Sequence, residues 1–120
     1  MDDKTSINEL KEAVKRFCGE RDWDQFNNAK DLAIGIVTEA AELIDIFRFK
    51  SLEDIDEMLE DSGKRSKICD ELVDVFYFVL RFAQCFDIDL TSEFYRKMAL
   101  NAAKYPVEKC KGINRKYNEV

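Results

Sequence analysis

Two long amphipathic patterns constrain the fold of this chain more than any other feature. The first is KDLAIGIVTEAAELIDIFRF at positions 30–49, and the second is DELVDVFYFVLRFAQCF at positions 70–86. At about 100° per residue, most apolar side chains of each stretch fall on one broad arc of a helix. Each arc has two carboxylates, three residues apart, at or just beyond its margin: Glu39 with Glu42, and Glu71 with Asp74. We therefore expect two facing helices that bring four acidic groups together.

The two arcs define the expected packing faces of these helices. The first comprises Leu32, Ala33, Ile36, Val37, Ala40, Leu43, Ile44 and Phe47. The second comprises Leu72, Val75, Phe76, Val79, Leu80, Ala83 and Phe86. A carboxylate at the edge of such a face costs free energy unless it has a partner or a cation. The acidic pairs therefore call for a physical explanation.

The rest of the chain also favours helices. Pro occurs once and Gly four times, which suits long uninterrupted helices better than a turn-rich β fold. Ser6 and Glu9 have the spacing of a capping box. The expected helices begin or end near these positions: 6–20, 30–49, 51–62, 64–86 and 91–104, with Pro106 ending the last one. We expect one all-α domain over residues 1–120, with a loosely ordered tail from about 107 to 120.

Composition narrows the possible partners and compartment. The net charge of −6 disfavours nucleic acid as a partner. The chain has no apolar run of about 18 residues, and its first residues, MDDKTS, are polar, so we expect a cytoplasmic protein without a membrane span or signal peptide. No two of the four cysteines form a C-x-x-C pair, which predicts reduced structural thiols rather than zinc or redox chemistry.

The absence of histidine excludes several chemistries. Ser-His and Cys-His nucleophile pairs, histidine-ligated zinc and the Glu-x-x-His di-iron bundle all require that residue. Carboxylates one helical turn apart can converge on one hard cation, Mg²⁺ or Mn²⁺, which also binds substrate phosphates. The expected chemistry is then attack of water on a phosphoanhydride, with a carboxylate accepting the proton. The alternative is a solvated acidic surface.

Three further groups of residues are candidates for ligand binding. Trp23 and Phe26 lie in a polar connection, where they either fill a core gap or offer flat surfaces to a ligand. Phe78 falls between Glu71 and Asp74 on the helical wheel, so it either lines their cleft or packs in the core. In the last helix, Lys97, Asn101 and Lys104 share one face, followed by Tyr105. That face is either a solvated stripe or a binding surface for sugar and phosphates.

Four segments in order resemble the all-α nucleotide pyrophosphohydrolases of the MazG type, most closely their dCTP pyrophosphatase branch. They are ERDWDQF from Glu20, E-x-x-E-L from Glu39, D-E-L-x-D-V from Asp70 and K-M-x-x-N-x-x-K-Y-P from Lys97. The resemblance implies a four-helix-bundle-like core and a homotetramer with base pockets near subunit contacts. It implies hydrolysis of a nucleoside triphosphate to the monophosphate and pyrophosphate, with Mg²⁺ (or Mn²⁺ as a substitute) held by Glu39, Glu42, Glu71 and Asp74.

The same resemblance suggests substrate-binding residues and shows where this chain departs from the branch. It implies that Trp23 and Phe49 hold the base and that Asn101 and Tyr105 contact the nucleotide. This chain has Asn27 where the branch tends to have histidine, Phe49 in place of a second tryptophan, and Phe78 in place of a tyrosine. Asn27 can pair with cytosine, so pyrimidine deoxynucleotides of the cytosine type are the expected substrates. The alternatives are dUTP or another nucleotide, and a non-enzymatic helical oligomerisation or regulatory module.

Overall fold

The computed structural model describes residues 1–120 and contains helices and turns but no strand. Its helices are α1 (Ile7–Glu20), α2 (Ala29–Phe47), α3 (Leu52–Glu60), α4 (Ser62–Cys85), α5 (Leu90–Lys104) and α6 (Val107–Cys110). Two 3₁₀ turns lie at Asp24–Phe26 and Tyr117–Glu119. The all-α prediction is confirmed, and α1–α5 begin and end within one turn of the expected positions. The segment expected to be a loose tail contains α6 and the second 3₁₀ turn. None of the helices combines the length and apolarity needed to cross a membrane.

Short polar side chains set where the helices begin. In α1 the Ser6 hydroxyl accepts a hydrogen bond from the Glu9 backbone N–H at 3.1 Å, which forms one half of the predicted box. In α3 the box is complete, because Ser51 and Asp54 each accept from the other's backbone N–H. The Ser51 backbone N–H, which donates to the Asp54 carboxylate, is the largest cause of the lowered pKa of Asp54. Asn28, Asp61 and Asp89 cap α2, α4 and α5 in the same way.

The chain divides into two compact units, residues 1–87 and 88–120. In the first unit α4 packs against α1, α2 and α3, most extensively against α2. Its buried apolar residues are Val14, Cys18, Leu32, Met58, Ile68, Leu80 and Ala83. The second unit contains α5 and α6, and within it the Tyr117 backbone N–H donates to the Tyr105 hydroxyl at 3.2 Å.

The predicted packing faces of α2 and α4 are wrong in part, because several of their residues are exposed to solvent. Val37 and Ile44 of α2 are 64% and 65% exposed, and Leu72 of α4 is 55% exposed. Ala33, Ala40, Phe76 and Phe86, which the arcs also include, are exposed. The more buried side of α2 includes Leu32, Ile36 and Leu43, as predicted, together with Gly35 and Glu39. Because α2 is apolar around much of its circumference, helical periodicity alone does not show which part of the broad arc faces α4.

Candidate active site

Carboxylates from α2 and α4 converge in the structure. Oxygen atoms of Glu39, Glu42 and Glu71 all lie within 4.8 Å of one another. Glu39 and Glu71 are half-buried and Glu42 is exposed. Asp74 follows Glu71 by one helical turn and is near enough for its charge to raise the pKa of both Glu39 and Glu71. The rotation of α2 places Glu39 on the more buried side of the helix.

The electrostatics of this acidic cluster (Glu39, Glu42, Glu71 and Asp74) suit a cation. Burial raises the pKa of Glu39 to about 7, and a hydrogen bond with Glu42 and the neighbouring negative charges contribute. A hydrogen bond with Glu42 is the largest cause of the raised pKa of Glu71, followed by burial. None of the four carboxylates forms a salt bridge with Lys or Arg. The cluster is therefore uncompensated by any basic side chain.

Two buried oxygen atoms of the cluster indicate whether a metal ion would fit among the carboxylates. The Oε2 atoms of Glu39 and Glu71 are buried and have no hydrogen-bond partner. A buried carboxylate oxygen without a partner costs free energy, which a cation would offset. The available donors are all carboxylate oxygens, the ligands that Mg²⁺ and Mn²⁺ prefer. The residues present therefore fit a hard divalent cation.

An aromatic cleft of about 420 Å³ lies beside the cluster. Its lining residues are Phe17, Trp23, Phe26, Asn27, Tyr77 and Phe78, together with Glu39 and Asp74. The volume is within the usual range for small-molecule sites. Because two members of the acidic cluster form part of its wall, a ligand in the cleft would lie next to the carboxylates.

Three residues predicted to bind substrate line this cleft: Trp23, Asn27 and Phe78. The Nδ2 atom of Asn27 is buried without a partner, so it can donate a hydrogen bond to a ligand. Trp23 and Phe26 are 43% and 61% exposed, which disagrees with the alternative that they fill a core gap.

Phe49 does not line the cleft of its own chain. It is 90% exposed, has a left-handed φ of 63°, and lies under the guanidinium of Arg48 at 4.7 Å. Lys97, Asn101 and Tyr105 belong to the second unit, where the first two lie on α5 and Tyr105 ends it. A role for these four residues in substrate binding stays a prediction.

Phe17 and Tyr77 line the cleft but were not predicted. Tyr77 follows Asp74 by three residues, so helical spacing could have placed it on the side of α4 that carries the acidic pair. The Phe17 ring meets both Trp23 and Tyr77 edge to face, with centroids 5.6 and 6.0 Å apart. The Tyr77 hydroxyl lies 3.1 Å from the Cys18 sulfur. Burial and this hydrogen bond raise the pKa of Tyr77, so the phenol stays neutral.

One wall of the cleft depends on a glycine. A Cβ atom at Gly35 would lie 2.4 to 2.7 Å from three carbon atoms of the Phe78 ring. The ring therefore occupies the space that a side chain at position 35 would fill. Gly35 precedes Glu39 by one turn and Phe78 follows Asp74 by one turn, so this contact lies next to the acidic cluster.

Comparison with known proteins agrees with this helical architecture. The model of the MazG-like family matches residues 34–120. The proteins named dCTP pyrophosphatase 1 of Rattus norvegicus and Homo sapiens are 28% and 27% identical over 115 residues, covering 96% of this chain and 68% of each relative. A pyrophosphatase from Archaeoglobus fulgidus has a similar crystal structure, with a TM-score of 0.76 and 31% identity, covering 83% of this chain and 92% of that chain.

These matches bear directly on the resemblance found in the sequence. The resemblance to the MazG type is confirmed, and so is the resemblance to the dCTP pyrophosphatase branch. The family match includes α4, α5 and the part of α2 that holds Glu39 and Glu42. The chain belongs to the MazG-like family.

Proposed function

We propose that this protein is a Mg²⁺-dependent nucleoside triphosphate pyrophosphatase, which releases a nucleoside monophosphate and pyrophosphate. The observation that carries the proposal is the uncompensated acidic cluster in the wall of an aromatic cleft. A cluster of this kind holds cations that neutralise phosphates, and an aromatic cleft holds a base. The named pyrophosphatases among its relatives support this reaction class.

In the proposed reaction, Glu39, Glu42, Glu71 and Asp74 hold Mg²⁺, and Mn²⁺ can replace it. When bound, the cation would neutralise charge on the triphosphate and lower the pKa of the attacking water. A carboxylate of the cluster accepts the proton of that water. Phe17, Phe26 and the other aromatic side chains of the cleft offer apolar surface to the bound nucleotide.

Recognition of the base is assigned to Trp23 and Asn27. Stacking on the Trp23 ring accepts any base, because every base has a π face. The Asn27 amide adds one donor and one acceptor, which can match the carbonyl oxygen and the amino group of cytosine. A reversed amide would match uracil, so dUTP is the second candidate substrate. Phe78 packs near the sugar in this proposal, which makes ribonucleotides poorer substrates than deoxynucleotides.

The second part of the proposal is assembly into a homotetramer. Exposed apolar side chains on α2 and α4 include Val37, Ile44, Leu72 and Val73. Within the second unit, Phe94, Tyr95 and Met98 are also exposed. Such surfaces are typical of interfaces between subunits. Phe49 would then hold the base in the site of another copy, while Lys97, Asn101 and Tyr105 bind sugar and phosphates.

The experiment measures pyrophosphate release with Mg²⁺ across dCTP, 5-methyl-dCTP, dUTP, dTTP, dATP, dGTP and CTP. We expect the highest kcat/KM for the cytosine deoxynucleotides, with CTP lower. Faster hydrolysis of purine nucleotides would contradict the assignment of the base pocket. Absence of pyrophosphate release with every nucleotide would favour the rival hypothesis, a non-enzymatic oligomerisation or regulatory module.

A further inference from the structure

Arg81 is a buried charge outside the acidic cluster. It lies on α4, and its side chain is 4% exposed. Its Nη2 donates to the Asp24 carboxylate and its Nη1 donates to the Gln84 side-chain oxygen. Burying a guanidinium costs free energy that an apolar residue of similar volume would not cost. The presence of Arg81 in this position therefore calls for a role other than filling the core.

The partner of Arg81 belongs to the segment that forms one side of the cleft. Asp24 begins the 3₁₀ turn between Trp23 and Asn27. Within this turn, the Phe26 N–H donates to the Trp23 carbonyl at 3.0 Å and the Asn27 N–H donates to the Asp24 carbonyl at 3.3 Å. Because these backbone bonds close the turn, we expect a displacement of Asp24 to shift Trp23, Phe26 and Asn27 as well.

Burial holds this segment only weakly. Phe26 is 61% exposed, and Asp24 is equally open to solvent, with 64% of its side chain exposed. The segment follows Asp22, which has a left-handed φ of 55°. Exposed side chains with few apolar contacts are typical of regions that open locally. A charge-assisted bond to a buried group on a long helix is a strong restraint in such a place.

We propose that Arg81 is a positioning residue, whose ion pair with Asp24 holds segment 23–27 against α4 and thereby sets nucleotide affinity and base preference. The inference rests on the proposed function for its kinetic consequences. Arg81 itself is not among the residues that line the cleft. Its loss should therefore act on binding of the base, through Trp23 and Asn27, and leave the acidic cluster intact.

The single tryptophan of the chain makes the restraint measurable without any assay of activity. In Asp24→Ala, we expect lower fluorescence anisotropy of Trp23 and stronger quenching by acrylamide than in the wild type. We also expect KM for dCTP to rise about tenfold, which corresponds to about 1.4 kcal/mol, with kcat within about twofold and a smaller preference for dCTP over dATP. Mn²⁺ affinity should not change.

Two variants at position 81 complete the test. Arg81→Met should reproduce the effects of Asp24→Ala, and the double variant should be no worse than either single one, because both remove the same bond. Arg81→Lys keeps the charge and should restore part of the lost affinity. If Asp24→Ala does not fold, because it leaves the buried Arg81 guanidinium without its carboxylate, Arg81→Met decides the question. Glu93→Ala is the control, since it removes an exposed ion pair with Arg96 and should leave every readout unchanged.

Unchanged anisotropy together with unchanged KM in Asp24→Ala would overturn the proposal. An equal fall in kcat and in Mn²⁺ affinity would also overturn it, because that result indicates damage to the acidic cluster. If the wild-type protein hydrolyses no nucleotide, the proposed function fails, while the fluorescence of Trp23 still tests whether the ion pair fixes the segment.

Discussion

Gly35 and Phe78 meet where α2 approaches α4. A glycine inside a helix costs about 1 kcal/mol relative to alanine, so its presence here needs a local reason. The reason is the Phe78 ring, which leaves no space for a Cβ atom. The sequence identified Phe78 as a candidate for the cleft, but it did not show that Gly35 is the residue against which the ring packs.

Substitution of Gly35 by alanine should move the ring toward the cleft. For Gly35→Ala we expect a loss of about 1–3 kcal/mol in the free energy of unfolding, typical of an overpacked core, and weaker binding of dCTP. Gly35→Ala combined with Phe78→Leu should recover much of both losses. Gly19→Ala is the control, because nothing lies within 4 Å of its added Cβ. Urea unfolding and equilibrium binding measure the two effects; a Gly35→Ala protein as stable as the wild type would contradict the close contact.

The raised pKa of Glu39 predicts how stability depends on pH without metal. The folded protein keeps a proton on Glu39 up to a pH of about 7, whereas the unfolded chain loses it near the ordinary value of 4.5. The folded state thus binds more protons, and this group's contribution to stability falls as pH rises from about 4.5 to about 7. Metal binding displaces protons, so Mn²⁺ affinity should rise across pH 6 to 8.

Glu39→Gln provides the comparison for this prediction. Measured in EDTA, the difference in urea midpoint between the variant and the wild type should shift in favour of the variant as pH rises from 5 to 8. The difference isolates Glu39 from the titrating groups that the two proteins share. A difference that does not vary with pH would contradict the uncompensated environment assigned to Glu39.

At the scale of helices, the sequence predicted well which helices exist and where they begin and end. It predicted less well which face of each helix packs against its neighbour. Capping residues such as Ser51 and Asp61 act within one turn, so local sequence determines where α3 and α4 begin. The face that α2 presents to α4 depends on how two surfaces fit together, including the Gly35 contact. That information is not local, and the predicted arc therefore included Val37 and Ile44, which are exposed.

In the candidate site, too, local features could be predicted from the sequence, whereas features that depend on tertiary packing could not. The acidic pairs could be predicted because three-residue spacing on a helix is a local property, and the structure brings Glu39, Glu42 and Glu71 together. The aromatic cleft could be predicted only in part, because Phe17 and Tyr77 are 60 positions apart and meet only through tertiary packing. The ion pair between Arg81 and Asp24 joins residues 57 positions apart, and no local pattern indicates it.

The exposed apolar residues of α2 give a prediction about assembly. Ala33, Val37, Ala40 and Ile44 repeat at intervals of three and four residues, as in a helix that packs against another helix. We expect light scattering to give four times the 14.0 kDa chain mass for the wild type, and a smaller species for Ile44→Lys. Thr38→Lys, on another side of α2, is the control and should keep the wild-type mass. A wild-type monomer at micromolar concentration would contradict the tetramer.

At the scale of the whole molecule, α2 and α4 place the acidic cluster in the wall of the aromatic cleft. The residues of the cleft and the cluster all lie in the first unit, where α4 packs against the three helices before it. In the proposed function, this arrangement lets a chain without histidine act on phosphoanhydrides, because carboxylates would both hold the cation and accept the proton. The acidic cluster is therefore the central element of the proposed function.

The most direct test is turnover of dCTP with saturating Mg²⁺, followed as pyrophosphate release, in the wild type and in Glu39→Gln. We expect the variant to lose at least about a hundredfold in kcat, on the scale of a lost electrostatic contribution to the transition state. Glu12→Gln replaces an exposed glutamate of α1 and should match the wild type. Wild-type turnover in Glu39→Gln at saturating metal would contradict the assignment of the acidic cluster as the active site.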